Sequence, residues 1–526
     1  MPGSLADVIP QERSLDTSML TFLLRYGVIG MAGTMLISVG ALGVGWLPLS
    51  TALVDQPLIE AMRGSTAGVL VSRGLILTGV ALLLQAWILL GYDLMSGVRW
   101  RLSRLQILVA VWSAPLVLAP PLFSRDVYSY YAQGRLFQEG FDPYLTGVSV
   151  VPGWFQDGVD PMWAETATPY GPLFLLLEKA VASVALGQPF LAALLFRLIA
   201  LVGVGLLVVV VPRLAWQHGI DPAKALWIGV LNPLVIMHFV AGAHNDALMV
   251  GLMVAGLWLA GARRPLIGVA LISLAAAVKP IALVALPFAG LLWATTTASW
   301  SRRLIAEAKT LGVAAAVFGA VSVAAGVGLG WVNALTAPGT VRTWLSPMTA
   351  LGMAIGAPLQ AVGLIGSDDL TVTITRLVGM IAAVGVIGWL LIRPQGRSPV
   401  RAAAIALAVV VVLGPVLQPW YLLWFLPLLA ATGLGPRQVR WAILLTALFA
   451  IHGMAESSAT SDNLIELTDG LAILTSAAVV AIVLLASPRE RAMVLGPTMS
   501  HGLLPEEPAA RDRSSAMTFS GRQVPA

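Results

Sequence analysis

Long apolar runs alternate with short polar segments along almost the whole chain. About 14 of these runs have the length or composition of membrane spans, with approximate cores at 25–47, 69–92, 105–122, 189–211, 224–240, 247–261, 265–278, 280–294, 309–331, 369–392, 400–416, 421–434, 438–454 and 469–487. The Leu, Val, Ala and Ile in them lack the period-two alternation of a half-buried strand. Backbone polar groups in lipid must be satisfied within the segment or by a closed barrel, so these runs predict helices. Several are shorter than the roughly 20 residues of a full crossing. The stretch 247–294 is where two hairpins would tilt or re-enter.

The polar segments set an orientation. Arg99, Arg101 and Arg104 form one basic cluster, and Arg263 and Arg264 a second. Arg302 with Arg303, then Arg393, Arg397 and Arg401, then Arg437 with Arg440 continue the series. All fall on one side if the N-terminus is cytoplasmic, as basic loops favour. That predicts N-in and C-in. The first 24 residues read as a cytoplasmic segment without a cleavable signal peptide, 25–487 as one transmembrane domain, and 488–526 as a disordered cytoplasmic tail rich in Pro, Ser and charge. The longest outer loop is then 123–188. Its apolar stretch after Gly171 carries Glu178 and Lys179, and predicts a helix lying on the membrane rather than crossing it. Further outer loops cover 332–368 and 455–468.

Composition agrees with the pattern. Of 526 residues, 58% are hydrophobic and only 11% charged, against roughly 25% charged in an average soluble protein. The prediction is an all-α, polytopic membrane protein. The net charge of +5 follows from the cytoplasmic loops and does not call for nucleic acid. There is no cysteine and there are five histidines. Disulfides, thiol chemistry and Cys-ligated metal are therefore excluded, and neither a metal site nor a cofactor is expected.

The predicted outer side collects the candidate chemistry. Asp126 stands at the mouth of the third span, in Phe123-Ser124-Arg125-Asp126-Val127-Tyr128-Ser129-Tyr130-Tyr131. A carboxylate there can take a proton from an acceptor hydroxyl; the plainer alternative is an interfacial acid paired with Arg125. The neighbouring Tyr128 and its companions suit either sugar stacking or an aromatic belt. Three polar residues in succession, His244-Asn245-Asp246, interrupt two apolar runs, which is costly unless they are used. They can contact a sugar or phosphate, or supply the N-cap of a helix from Ala247. Lys279 can neutralise a phosphate or snorkel. Tyr170, Arg342, Gln418, Trp420, Tyr421 and His452 with Glu456 are candidates to line the same cavity. His238, Arg197 and Arg376 are further polar groups within or at the ends of spans. No P-loop, dinucleotide fingerprint or serine-hydrolase elbow is present. Sugar transfer on an outer face would thus need a membrane-delivered donor, for which a polyprenyl-phosphate sugar fits.

Over residues 25–485 the chain resembles the actinobacterial polyprenol-phosphate-mannose-dependent alpha-1,6-mannosyltransferases of lipomannan assembly, the Mpt group of the GT-C class. The likeness rests on Ser124-Arg125-Asp126-Val127-Tyr128-Ser129-Tyr130, Gly140-Phe141-Asp142-Pro143-Tyr144, Pro169-Tyr170-Gly171-Pro172-Leu173, Leu231-Asn232-Pro233-Leu234 and His244-Asn245-Asp246-Ala247-Leu248-Met249. The resemblance implies an inverting enzyme of the plasma membrane, active on its extracytoplasmic face. Its donor would be polyprenyl-phosphate mannose and its acceptor a mannosylated phosphatidylinositol or lipomannan-type glycolipid. The class places an essential acid in the first large outer loop, and Asp126 holds that position here, behind two additional N-terminal spans. Under this reading Asp126 is the general base. Lys279 and His244, with Arg342, would stabilise the leaving phosphate, and Arg125, Tyr128, Tyr170, Asn245, Asp246, Gln418, Trp420 and Tyr421 would bind substrate. Arabinosyl or glucosyl transfer from a lipid-linked donor, or a lipid-linked sugar flippase, are the alternatives.

Overall fold

The fold was analysed in a computed structural model that describes residues 18–294, 298–335, 339, 341–393, 396–455 and 503. Most of the described residues are helical, with no strand among them beyond an isolated bridge between Leu434 and Leu503. The protein is an all-α polytopic membrane protein, as its patterning predicts.

Five helices are long and apolar enough to cross a bilayer by themselves. They are α1 (Met19–Val44), α2 (Thr66–Met95), α3 (Pro189–Gln217), α4 (Trp300–Ala325) and α5 (Asp369–Ile392). Their starts follow from local chemistry. Ser65 caps α2 by accepting from the Gly68 amide at 3.0 Å. Pro189 opens α3, where a missing N–H costs nothing. Gly326, at φ 70°, closes α4 in the left-handed conformation.

The remaining predicted spans are shorter or broken, and prolines explain most of the breaks. The run 105–122 is helical only over Leu102–Ser113 and a following 3-10 turn, before Pro120 and Pro121. The run 280–294 is a 3-10 turn, Pro280–Ala285, followed by Leu286–Ala294. The run 421–434 is likewise Pro419–Trp424 followed by Leu426–Thr432. The run 224–240 divides into Pro222–Gly229 and a π-helical turn, Val235–Ala241. Asn232 makes that break: its Oδ1 accepts from the Leu234 amide at 2.9 Å, and its Nδ2 donates to Ile228 O and Thr446 Oγ1. The π turn then bends by 114° into Asp246–Gly261. The predicted loop 332–368 holds a helix, Pro347–Ala361. The predicted span 469–487, the loop after 455 with its Glu456, and the tail apart from Leu503 lie outside the described residues.

Close approach at glycines binds the bundle. A Cβ at Gly79 of α2 would lie 2.4 Å from Gly33 O of α1, and one at Gly203 of α3 would lie 2.1 Å from Ala247 O. Small residues give helices van der Waals contact where lipid supplies no hydrophobic drive between them. By contrast, the most apolar windows of α4 and α5 are only 28% and 22% buried. Leu311, Val323 and Val384 are exposed there, as suits a lipid-facing surface.

The predicted loop 123–188 carries two helices, Asp126–Gln138 and Pro172–Val184. They pack so closely that a Cβ at Gly134 would fall 2.2 Å from Glu178 O. Pro172–Val184 has 13 residues, too few to span a bilayer.

Candidate active site

Asp126 is the first residue of its helix, and its amide donates to Ser124 Oγ at 3.1 Å. Phe123, three residues earlier, is held at φ 66°. The Arg125 side chain turns away from the carboxylate. Its Nε and Nη2 donate to Gly158 O and Val159 O at 2.9 and 2.8 Å, and its guanidinium lies 4.5 Å over the Trp46 ring. Arg125 therefore fixes the loop 158–159 and does not pair with Asp126. Tyr128 is buried and donates to Trp46 O at 2.7 Å. Through these contacts both residues support the site's frame.

His244 comes from the bend between Val235–Ala241 and Asp246–Gly261. Its Nδ1 lies 3.6 Å from Asp126 Oδ2, with the imidazole fully buried and the carboxylate 19% exposed. Ala243, just before it, sits at φ 53°. Non-glycine residues in this region carry strain, which concentrates at functional sites. Phe123 and Ala243 flank the two groups that meet.

Trp420 stacks on His244 with ring centroids 4.0 Å apart and planes 27° apart. His238 completes the layer, 5.3 Å from Trp420. Among the described residues neither imidazole makes a hydrogen bond, and Trp420 Nε1 and both side-chain polar atoms of Asn245 are also buried without a partner. Leaving buried polar groups unsatisfied costs free energy. Such a concentration around one carboxylate marks a place where a ligand supplies the partners.

Asp246 starts the next helix, and neither it nor Asn245 caps that helix through its side chain. Its carboxylate is fully buried and receives Lys279 Nζ on both oxygens, at 2.9 and 3.0 Å, and Trp424 Nε1 at 2.6 Å. Lys279, between Pro265–Val278 and the turn at Pro280, also faces the rings of Tyr170, Tyr421 and Trp424 at 5.9, 5.3 and 5.3 Å. Tyr421 and Trp424 stack at 3.8 Å. Lys279, predicted either to neutralise a phosphate or to snorkel, is thus ion-paired with Asp246.

Burial is the main cause that raises the Asp126 carboxyl from 3.8 to about 6. Lys279 and the Trp163 indole pull it down, while Asp246 and Asp160 push it up. A carboxylate poised there is ionised at neutral pH yet basic enough to accept a proton. Trp163 and Trp424 fall outside the sequence-predicted set. The Trp420-Tyr421-Leu422-Leu423-Trp424 spacing would have suggested the second; the first lies in an irregular loop with no such signal.

Arg342 does not join this cluster by any of its ion pairs. It pairs with Asp368 and, at 2.9 Å, with Asp369, at the start of α5. Gln418 precedes the turn Pro419–Trp424, where its carbonyl accepts from the Tyr421 amide at 3.0 Å. The ring of His452 meets Trp344 edge-on at 5.5 Å. No group of three or more possible metal ligands occurs among the described residues.

Residues 27–295 match the family model of the alpha-(1->6)-mannopyranosyltransferase N-terminal domain, and residues 348–487 match that of the MptB C-terminal domain. The chain is 37% identical to alpha-(1->6)-mannopyranosyltransferase A of Mycobacterium tuberculosis, over 81% of this chain and 85% of the relative. A probable alpha-(1->6)-mannopyranosyltransferase of Mycolicibacterium smegmatis is 33% identical, over 95% of each chain. Alpha-(1->6)-mannopyranosyltransferase B of Corynebacterium glutamicum is 30% identical, over 77% of this chain and 72% of the relative. No solved structure matches. The site draws on both matched stretches: Asp126, His244, Asp246 and Lys279 come from the first, and Trp420, Tyr421 and Trp424 from the second.

Proposed function

The chain belongs to the alpha-(1->6)-mannopyranosyltransferase family, and from that premise we propose that it is a membrane mannosyltransferase centred on Asp126. The donor in this reading is polyprenyl-phosphate mannose, and the acceptor an alpha-1,6-mannan on a lipid anchor. The site in this reading faces the extracytoplasmic side, which the clustering of basic residues in the opposite loops supports. The observation that carries the reading is the Asp126 carboxylate: partly exposed, held at about 6, and 3.6 Å from a buried imidazole.

A beta-linked donor and an alpha-linked product require inversion, so one displacement suffices. Asp126 accepts the proton of the acceptor 6-hydroxyl as its oxygen bonds to the anomeric carbon. The bond from that carbon to the phosphate oxygen breaks, and the lipid phosphate leaves with the electron pair. Protein groups aimed at the departing phosphate lower the barrier because they need no reorganisation. His244 stands next to Asp126 for this role. Lys279 enters it as one half of a neutral pair with Asp246, with its position set by the three rings around it. Arg125 and Tyr128 hold the frame. Trp420 orients His244 by stacking, and Tyr170 and Tyr421 wall the pocket. The scheme uses side chains alone.

The test is transfer of radiolabelled mannose from synthetic polyprenyl-phosphate mannose to an alpha-1,6-mannoside, by purified protein in detergent. Transfer by the parent, and a loss of about 10²–10⁴-fold in a folded Asp126→Asn variant, is the expected result. An Asp126→Asn variant with parent-like turnover overturns the assignment of the base. Absence of transfer by a well-folded parent overturns the donor.

A further inference from the structure

Arg197, in the N-terminal third of α3, is fully buried. A charged side chain inside a membrane bundle is expensive, and one that persists is used. All three of its nitrogen groups donate to backbone carbonyls. Nε donates to Val240 O at 2.9 Å, Nη2 to Ala241 O at 2.9 Å, and Nη1 to Val117 O at 2.7 Å. These carbonyls belong to two different segments. Val117 begins the irregular run that passes through strained Phe123 to Asp126. Val240 and Ala241 end the π turn that passes through strained Ala243 to His244.

We propose that Arg197 is the positioning residue that holds Asp126 and His244 in register, by tying together the two backbone segments that present them. The inference rests on the proposed role of Asp126. The planar fork of a guanidinium reaches three carbonyls from one rigid group, and an ammonium on a flexible stem does not reproduce that geometry. The two strained turns relax unless they are held from outside. A base displaced by about 1 Å loses on the order of 100-fold in rate.

The experiment uses the full chain in detergent and the mannose-transfer assay, with Arg197→Lys and Arg197→Gln alone and in combination with Asp126→Asn. With Arg197→Lys, kcat is expected to fall by about 100-fold, with a much smaller change in the KM for the donor, since Lys279 and the rings around it are not held by Arg197. Added to Asp126→Asn, the same change is expected to cost clearly less than it does in the parent, because one of the two groups it positions is already gone. Equal losses in both backgrounds overturn the proposal, as does a rise in KM with unchanged kcat. Loss of fold in both Arg197 variants, judged by thermal unfolding, also overturns it in favour of a purely structural arginine. A parent that transfers no mannose refutes the proposed function instead, and is seen before any Arg197 variant is compared.

Discussion

His244 Nδ1 stands 3.6 Å from Asp126 Oδ2, and the two come from segments far apart in the chain. Asp126 opens a helix of the long polar loop, whereas His244 comes from the bend of a broken helix pair. Replacing Asp126 by Asn keeps the shape and removes the base. Turnover should fall by about 10²–10⁴-fold, the usual contribution of a general base, with the thermal unfolding midpoint in detergent nearly unchanged. Both are measured on one preparation.

The pH profile follows from the same carboxyl. Asp126 acts as a base only when ionised, and burial raises its midpoint to about 6. The kcat/KM for mannose transfer should therefore rise with pH through about 6 and level off above it. A profile flat from pH 5 to 8 would contradict the assignment.

The buried pair of Lys279 and Asp246 gives a stability prediction. Asp246→Asn leaves Lys279 uncompensated, and removal of one partner of a buried pair costs about 3–5 kcal/mol. Lys279→Met strands the buried Asp246 carboxylate, with only Trp424 Nε1 to satisfy it. Either single change should lower the unfolding midpoint markedly. The double change to Lys279→Met with Asp246→Leu should recover much of the loss, since replacing both charges by apolar groups is often neutral. Thermal melts of the three variants decide this.

Gly203 is a test of the fold itself. A Cβ there would meet Ala247 O at 2.1 Å, so Gly203→Ala must push α3 away from the helix that follows Asp246. Overpacking of this kind costs about 1–3 kcal/mol. The same displacement shifts the chain next to His244, so activity should fall together with the melting temperature. Gly205, with nothing near its Cβ position, serves as the control: Gly205→Ala should alter neither.

The sequence by itself determined the class of this molecule. Apolar runs without strand alternation can only be helices in lipid, and the five long spans overlap the predicted runs, with Met19–Val44 and Trp300–Ala325 starting six and nine residues earlier than predicted. Asp126, His244, Asp246 and Lys279 were legible for a related reason. A charged or polar side chain that interrupts an apolar run is costly, and so stands out even without knowledge of its neighbours. Their partners were not legible. Nothing in the chain order pairs Lys279 with Asp246, points Arg125 at the carbonyls of Gly158 and Val159, or lays Trp420 on His244. Those contacts join residues far apart in sequence, and they depend on where Asn232, Pro280 and Pro419 break the helices and on how closely Gly203 lets two of them approach. Periodicity reports how one segment meets its surroundings; only packing decides which segment it meets.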